Sequence, residues 1–243
     1  MSGAQAPSGK QASNRKQAPS GRQVTSPGHL RIVLPGEWAS IPLEDPEVTR
    51  KFAQRLVRTR VGRDDRLAAA RREAVAQVCD AADKAREFEA HTLAIALEIV
   101  PGVPFPASMV GRDLPWPLEE DPAEYLTLPE RLARSFEKAE IVELPSGPAG
   151  RWREAGVLQA GEQQTSSVSV EYRIPRPDSD ELLHLRFTAP DSGIPDIIAQ
   201  LFDAIAVSVE FTRERVVAAG PSVEGPSVEG ASVEGRSVEG PSV

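Results

Sequence analysis

A helical spacing of apolar residues dominates the chain after its first 45 positions. Val48, Phe52 and Leu56 recur at every fourth position, which places them on one face of a helix. A longer apolar stripe runs from Leu67 to Phe88 at intervals of three or four residues, and charged side chains fill the positions between. The pattern predicts two successive amphipathic helices.

Strand-like alternation of apolar and polar residues replaces the helical spacing after residue 92. Residues 93–100 alternate, and so do residues 168–174 and 183–187, which flank a polar turn. Segments 137–145 and 150–158 flank the turn sequence PSGPAG as a hairpin. The alternation is typical of an antiparallel sheet with one buried face.

Shorter segments complete the predicted order of elements. Residues 31–43 read as two short strands around a Pro-Gly turn, and residues 103–111 as an edge strand, where prolines are tolerated. Residues 113–135 read as an acidic excursion with a short helix, and a helix with a wide apolar face follows Pro195. Because the strands cluster in sequence, we predict an α+β fold, a single, mainly antiparallel sheet covered by helices.

Composition divides the chain into a middle domain and two tails. Residues 1–29 are rich in Ser, Gln, Ala, Pro and Gly and carry basic but no acidic side chains. Within residues 216–243, residues 220–243 repeat a five-residue unit containing SVEG, a period that matches neither helix nor strand. Neither segment has the apolar content to offset its ordering entropy. We predict disordered tails at 1–29 and 216–243 around a single domain at 30–215; the repeat is a solvated spacer or, alternatively, a multivalent ligand.

Charge and cysteine content narrow the classes of protein. The formal net charge of −8 argues against a dedicated DNA-binding protein, which usually has a basic surface. The single cysteine, Cys79, excludes an intramolecular disulfide and fits a reducing compartment. The first residues lack the apolar core of a signal peptide, and the chain has no apolar run of about 18 residues. We therefore expect a cytoplasmic protein without a membrane span.

Four segments carry a resemblance to a known family: LPGEWASIPL, the Arg- and Ala-rich helix pair after it, HTLAIALEI and GIPDIIAQLFDAIAVSVEF. Together they resemble small actinobacterial proteins similar in layout to the PsbP-like α/β/α sandwich, which is also seen in the LpqN lipoproteins. The resemblance covers residues 31–212 and rests mainly on element order. It implies this sandwich fold and an association with type VII secretion, and it supplies no catalytic residue. The signal peptide and lipidated cysteine of LpqN are not visible in this N-terminus.

Motifs for catalysis or metal binding are weak. Asp83, Glu87 and His91 have a spacing that fits one helix face, but His91 falls where the helix should already end, and a solvated face is the favoured explanation. Cys79 lies in the middle of a predicted helix, where a thiol usually packs as a small hydrophobic group. His184 points away from the apolar residues beside it, and no nucleophile accompanies it. We therefore predict no catalytic, cofactor-binding or metal-binding residues.

The strongest candidates for binding are arginines. Segment 50–73 holds nine cationic side chains against three acidic ones, and Arg58, Arg60, Arg63 and Arg66 lie at its centre. Such a segment contacts an acidic protein surface or nucleic-acid phosphates, or is merely solvated. Trp116, flanked by prolines, is either an anchor for a partner or a cap on the sheet.

The sequence as a whole favours a non-enzymatic protein-binding or accessory module. It predicts a protein partner, no cofactor and, through the resemblance, a role near type VII secretion. A nucleic-acid-binding protein that uses residues 50–72 is the first alternative. An enzyme with an unrecognised site is the second, and it requires a deep pocket in which His184 or His91 meets a carboxylate.

Overall fold

The computed structural model describes residues 21–26, 30–117, 126–160, 163–177 and 179–212. These residues form a mixed α+β fold with a mainly antiparallel sheet and helices, which confirms the predicted fold class. Apart from the strand at Gly21–Ser26, both predicted tails lie outside the described residues, and so does segment 118–125. None of the described helices has the length and hydrophobicity needed to span a bilayer.

The helices are α1 (Pro46–Val61), α2 (Ala68–Glu87), α3 (Leu128–Ser135) and α4 (Pro195–Ala206). The strands are β1 (Gly21–Ser26), β2 (Leu30–Pro35), β3 (Glu37–Ser40), β4 (Thr92–Val100), β5 (Val103–Pro104), β6 (Ser108–Pro115), β7 (Glu140–Leu144), β8 (Gly147–Ala160), β9 (Gln163–Pro175), β10 (Glu181–Pro190) and β11 (Glu210–Phe211).

The strands belong to two sheets. The larger has eight strands in the order β3-β4-β6-β10-β9-β8-β7, with β5 beside β4, and the smaller has the order β1-β2-β11. All pairs are antiparallel, including the predicted hairpin of β7 and β8. The expectation of a single sheet is therefore wrong, because β2 pairs with β1 and β11 and not with its neighbour β3.

Gly36 is the point at which the chain leaves the smaller sheet and enters the larger one. Its φ of 76° lies in the left-handed region, which glycine adopts without steric cost. A Cβ at this position would collide with the backbone of β4, at the carbonyl oxygen of Glu98. At the predicted Pro-Gly turn, the chain therefore passes from one sheet to the other instead of joining two strands of the same sheet.

Two other strand predictions differ from the structure. Segment 103–111 was expected to be one strand at a sheet edge, yet it contains parts of two strands: β5 pairs with β4 alone, whereas β6 lies in the interior of the larger sheet between β4 and β10. Pro104 and Pro106 precede β6, so they remove no donor from its ladders. Gly21–Ser26, which the composition placed in the N-terminal tail, pairs with β2 along its whole length.

The inner face of the larger sheet, defined here as the face that carries Leu183, Leu185 and Phe187, holds the main core. It packs against α4 and β2 in one continuous apolar cluster. Phe187 stacks on Phe202 of α4 with ring centroids 5.1 Å apart. The apolar side chains on one face of β10 thus pack against the apolar face of α4, as the sequence predicts.

The outer face, on the opposite side of the larger sheet, is covered in two places. Helices α1 and α2 cover β3, β4 and β6 through a cluster that includes Ala82, Ala85 and Leu93. Helix α3 covers the other end through a cluster built on Leu132 and Leu182. The helices therefore cover both faces of the sheet, and polar residues occupy the space between the two outer clusters.

Candidate functional site

A groove of about 760 Å³ lies between α1 and α2. Five arginines line this basic groove: Arg50, Arg58, Arg63, Arg71 and Arg72. Val57, Val75, Ala76 and Cys79 also line it and make part of it apolar, and Asp65, Asp80 and Asp83 are the acidic residues of its lining. The groove combines a positive charge excess with an apolar surface.

Helix ends and one arginine position the two walls of the groove. Asp45 caps α1 by accepting a hydrogen bond of 2.7 Å from the backbone N–H of Glu47. Gly62 ends α1 with a φ of 89° and turns the chain towards α2. Arg71 donates to the carbonyl oxygens of Gly62 and Asp64 at 3.0 and 2.7 Å, which fixes the start of α2 to the end of α1.

Unlike Arg71, the other four arginines of the groove are not held by another part of the described chain. Arg50, Arg58, Arg63 and Arg72 are exposed, and none of them makes a side-chain hydrogen bond or ion pair with another residue of the described chain. Asp83, the acid at one end of the lining, is instead engaged by Arg86 at 2.5 Å. Four guanidinium groups therefore remain available to an external acceptor.

The structure separates the four arginines that the sequence singled out. Arg58 and Arg63 line the basic groove, whereas Arg60 and Arg66 do not. Arg60 forms ion pairs with Glu37 and Glu98, the latter at 3.3 Å, and thereby ties α1 to β3 and β4. The hydrogen bond with Glu37 raises the pKa of Arg60. Arg60 therefore has a structural role.

Trp116 is buried, with 7% of its surface exposed. The guanidinium of Arg131 lies 3.9 Å from the centroid of its ring, and Phe136 stacks on it at 6.5 Å. This packing is that of a cap on the sheet, and the role of Trp116 as an anchor for a partner stays a prediction.

Sequence reasoning named the arginine-rich segment but did not identify all members of the groove. Arg50 and Arg58 lie two helical turns apart on α1, and Arg72 and Cys79 lie two turns apart on α2. Helical spacing was therefore a usable signal for the face that each helix contributes. The juxtaposition of the two faces is a tertiary property and had no local signal.

The residues of the weak metal pattern do not converge. Helix α2 ends at Glu87, and His91 lies beyond it, with Nδ1 2.9 Å from the hydroxyl of Thr92 and Nε2 3.6 Å from Asp113. Asp83 is paired with Arg86. Within the described ranges, no group of three or more His, Cys, Asp or Glu side chains is placed to hold a metal ion.

His184 belongs to a buried polar network on the outer face. Arg112 donates from Nε to Nδ1 of His184 at 3.2 Å, so Nε2 carries the proton and donates to Glu171 at 3.0 Å. This hydrogen bond lowers the pKa of Glu171 against the opposing effect of burial. His184 is only 3% exposed. Neither His184 nor His91 lines the basic groove, which contains Arg58, or either of two further cavities, one lined by Arg60 and one by Arg173.

No family model and no curated protein sequence matches the chain. Among solved structures, the chain is similar to a protein described as LpqN involved in cell envelope biogenesis of Mycobacterium tuberculosis. The two share 13% sequence identity at a TM-score of 0.34, over 80% of this chain and 86% of LpqN.

Proposed function

We propose that the domain is a non-enzymatic binding module that holds an acidic, amphipathic segment of a partner protein in the basic groove. The observation that carries this proposal is the set of four exposed arginines, on α1, on α2 and on the connection between them, that lack a carboxylate partner of their own. Carboxylates accept paired hydrogen bonds from guanidinium groups, and apolar side chains of the same segment fit the apolar lining.

The lining of the groove favours a protein segment over nucleic acid. Asp65 and Asp80 project among the arginines and would repel a continuous phosphate backbone. No aromatic side chain is present in the lining to stack on a base. A protein segment tolerates both features, because it can carry charges of both signs and apolar side chains.

Cys79 offers a direct test because it is the chain's only cysteine and it lines the groove. The rate of thiol modification of the full chain would be measured with increasing amounts of a synthetic acidic amphipathic peptide. We expect saturable protection of Cys79. The double substitution Arg58→Glu/Arg63→Glu should weaken protection about tenfold or more, since it reverses two charges at the interface.

Arg55→Glu is the matched control. Arg55 is an exposed residue of the same helix but lines a different cavity, so this variant should keep the protection. Equal loss of protection in both variants, or no protection in the wild type, would refute the proposal. Protection by duplex DNA that falls steeply with salt, without protection by the peptide, would establish the nucleic-acid alternative instead.

The finer parts of the proposal concern the partner and its place in the cell. The sequence resemblance supports a partner from a type VII secretion system, and we propose a cytoplasmic location for the domain. An affinity purification that compares the wild type with Arg58→Glu/Arg63→Glu tests both. We expect the wild type, but not the variant, to recover from the soluble fraction a secretion component that has an acidic amphipathic segment. Recovery of this component with both proteins would contradict the groove as its binding site.

A further inference from the structure

A second cavity, of about 420 Å³, lies between α3 and the outer face of the sheet at β8 and β9. Its lining includes the cationic residues Arg134, Lys138 and Arg173 and the aromatic residues Phe136 and Trp152. It shares no lining residue with the basic groove. Any ligand of this cavity is therefore independent of the function proposed above.

Arg173 is the central cation of this cavity. Alternation along β9 places it on the outer face, and its guanidinium lies 4.4 Å from the ring centroid of Phe136 and 4.7 Å from that of Trp152. Its Nε is buried and has no hydrogen-bond acceptor within the described part of the chain. Desolvation by this burial lowers the pKa of Arg173.

A neighbouring carboxylate does not supply the missing acceptor. Glu171 lies two residues away on the same face, but its oxygens are engaged by His184 at 3.0 Å and by Arg186 at 3.3 Å. A charged, partly desolvated donor without an acceptor is unusual in a folded protein, where buried polar groups are normally paired. The buried Nε–H of Arg173 therefore has no anionic acceptor among the described residues.

Gly150 makes room for the aromatic wall. It pairs with Arg173 across β8 and β9, and the ring of Trp152 folds over it. A Cβ at position 150 would lie 3.1 Å from the Trp152 ring. The missing side chain lets this ring lie beside the guanidinium of Arg173, so backbone and side chains together shape the cavity wall.

Two further cations extend from the end of α3. Arg134 and Lys138 are exposed, and neither forms an ion pair with a described residue. A position near a helix C-terminus favours cations and accounts for Arg134, but not for Arg173, which is a strand residue. Glu137 is the one acidic residue in the lining, so three cations against one acid leave an excess of two positive charges.

We propose that this cavity binds a phosphomonoester, with Arg173, Arg134 and Lys138 around the phosphate and Trp152 against the organic group. A phosphomonoester is close to a dianion at neutral pH, which matches the charge excess. Guanidinium groups donate to phosphate oxygens in a paired geometry. The volume is within the range of small-molecule sites and exceeds the need of free phosphate.

Calorimetry on the full chain at constant ionic strength tests this proposal with phenyl phosphate, inorganic phosphate and benzoate, and with vesicles that contain phosphatidic acid. We expect saturable binding of phenyl phosphate, weaker binding of inorganic phosphate and no saturable binding of benzoate. Phosphatidic acid vesicles that bind while phenyl phosphate also binds would identify a lipid headgroup as the source of the same chemistry.

Substitutions locate the site. Arg173→Gln should weaken phenyl phosphate binding about tenfold or more, which corresponds to the loss of one charge-assisted hydrogen bond. Lys138→Gln should weaken it less, and because Lys138 is exposed this variant decides the matter if Arg173→Gln fails to fold. Arg55→Gln removes the same charge from α1 and should bind like the wild type.

Three results would overturn the proposal. The first is the absence of saturable binding of phenyl phosphate to the wild type. The second is equal binding of benzoate, which would show that the cavity does not select phosphate. The third is unchanged binding by both Arg173→Gln and Lys138→Gln, or equal loss in Arg55→Gln, which would place the ligand elsewhere.

Discussion

The two faces of the larger sheet are built in opposite ways. The inner face is one continuous apolar cluster that reaches from β2 through the sheet to α4. The outer face has two small clusters, one below α1 and α2 and one below α3. Between them lie the charged or titratable side chains Arg112, Glu171, Arg173, His184 and Arg186.

The inner face therefore contributes mainly to stability, and the outer side provides the surfaces for binding. The inner face excludes water and satisfies its few polar groups internally, so it stabilises the fold but offers little to a ligand. The helices of the outer face, by contrast, carry the basic groove and the cavity beside Arg173. Substitutions on the inner face should therefore lower the free energy of unfolding more than matched substitutions on the outer side, where changes of charged side chains should mainly affect binding.

Two leucines on β10 allow the largest test of this comparison. Leu185 on the inner face and Leu182 on the outer face are both buried, at 0% and 1% exposure. We expect Leu185→Ala to lower the free energy of unfolding by about 4 kcal/mol and Leu182→Ala by about 2–3 kcal/mol, because a cavity in a large rigid cluster relaxes less. Urea denaturation measures both, and a larger loss for Leu182→Ala would contradict the comparison.

Ion pairs offer a second test with a smaller effect. On the inner side, Asp203 of α4 accepts hydrogen bonds from Arg151 at 2.8 and 3.1 Å and another from the hydroxyl of Tyr172. Burial and this hydrogen bond raise the pKa of Tyr172. We expect Asp203→Ala to cost about 2 kcal/mol, because it leaves two partly buried donors without their acceptor.

The matching ion pair on the outer side joins Arg131 of α3 and Asp180 at 3.0 Å, with the Asp180 side chain 76% exposed. Solvent screening makes such pairs weak, so Asp180→Ala should cost less than about 0.5 kcal/mol. Thermal denaturation of both variants checks the contrast. Equal destabilisation would show that the outer side contributes more to stability than its exposure indicates.

Local patterns of the sequence predicted most elements but not their neighbours. The alternation in residues 168–174 and 183–187 predicted β9 and β10, and the stripe after Pro195 predicted α4. The same stripe included Ile197, which is 60% exposed, because periodicity does not reveal which edge of a wide apolar face meets the sheet. The interior position of β6 depends on pairing between distant strands, which no local pattern encodes.

The candidate sites were less predictable from the sequence than the helices and strands, because they too depend on contacts between distant segments. Arg58 and Arg63 could be named because a run of cationic residues is visible in one segment. The cavity beside Arg173 draws its residues from α3, the turn that follows it, β8 and β9, each of which contributes one or a few ordinary side chains. Only the fold brings these charged and aromatic side chains together, so no single segment of the sequence shows the excess of charge that the cavity has.

The last expected effect concerns pH and the polar network of the outer face. The hydrogen bond from His184 lowers the pKa of Glu171, so the folded state resists protonation of this carboxyl group more than the unfolded state does. The stabilisation is complete above the unfolded pKa of about 4.3 and is lost as the pH falls through the window between this value and the lowered pKa. We expect the free energy of unfolding of the wild type to fall over this window.

Glu171→Gln should be less stable than the wild type near pH 6, by about 1 kcal/mol, and the difference should shrink as the pH falls towards 3. Asp113, whose pKa is also lowered because neighbouring His91 and Arg176 outweigh its burial, titrates in both proteins and cancels in the comparison. Glu154→Gln, an exposed position on β8, is the control and should run parallel to the wild type. If the curves of Glu171→Gln and the wild type also run parallel, the network on the outer face does not couple protonation to folding, and its charges serve recognition alone.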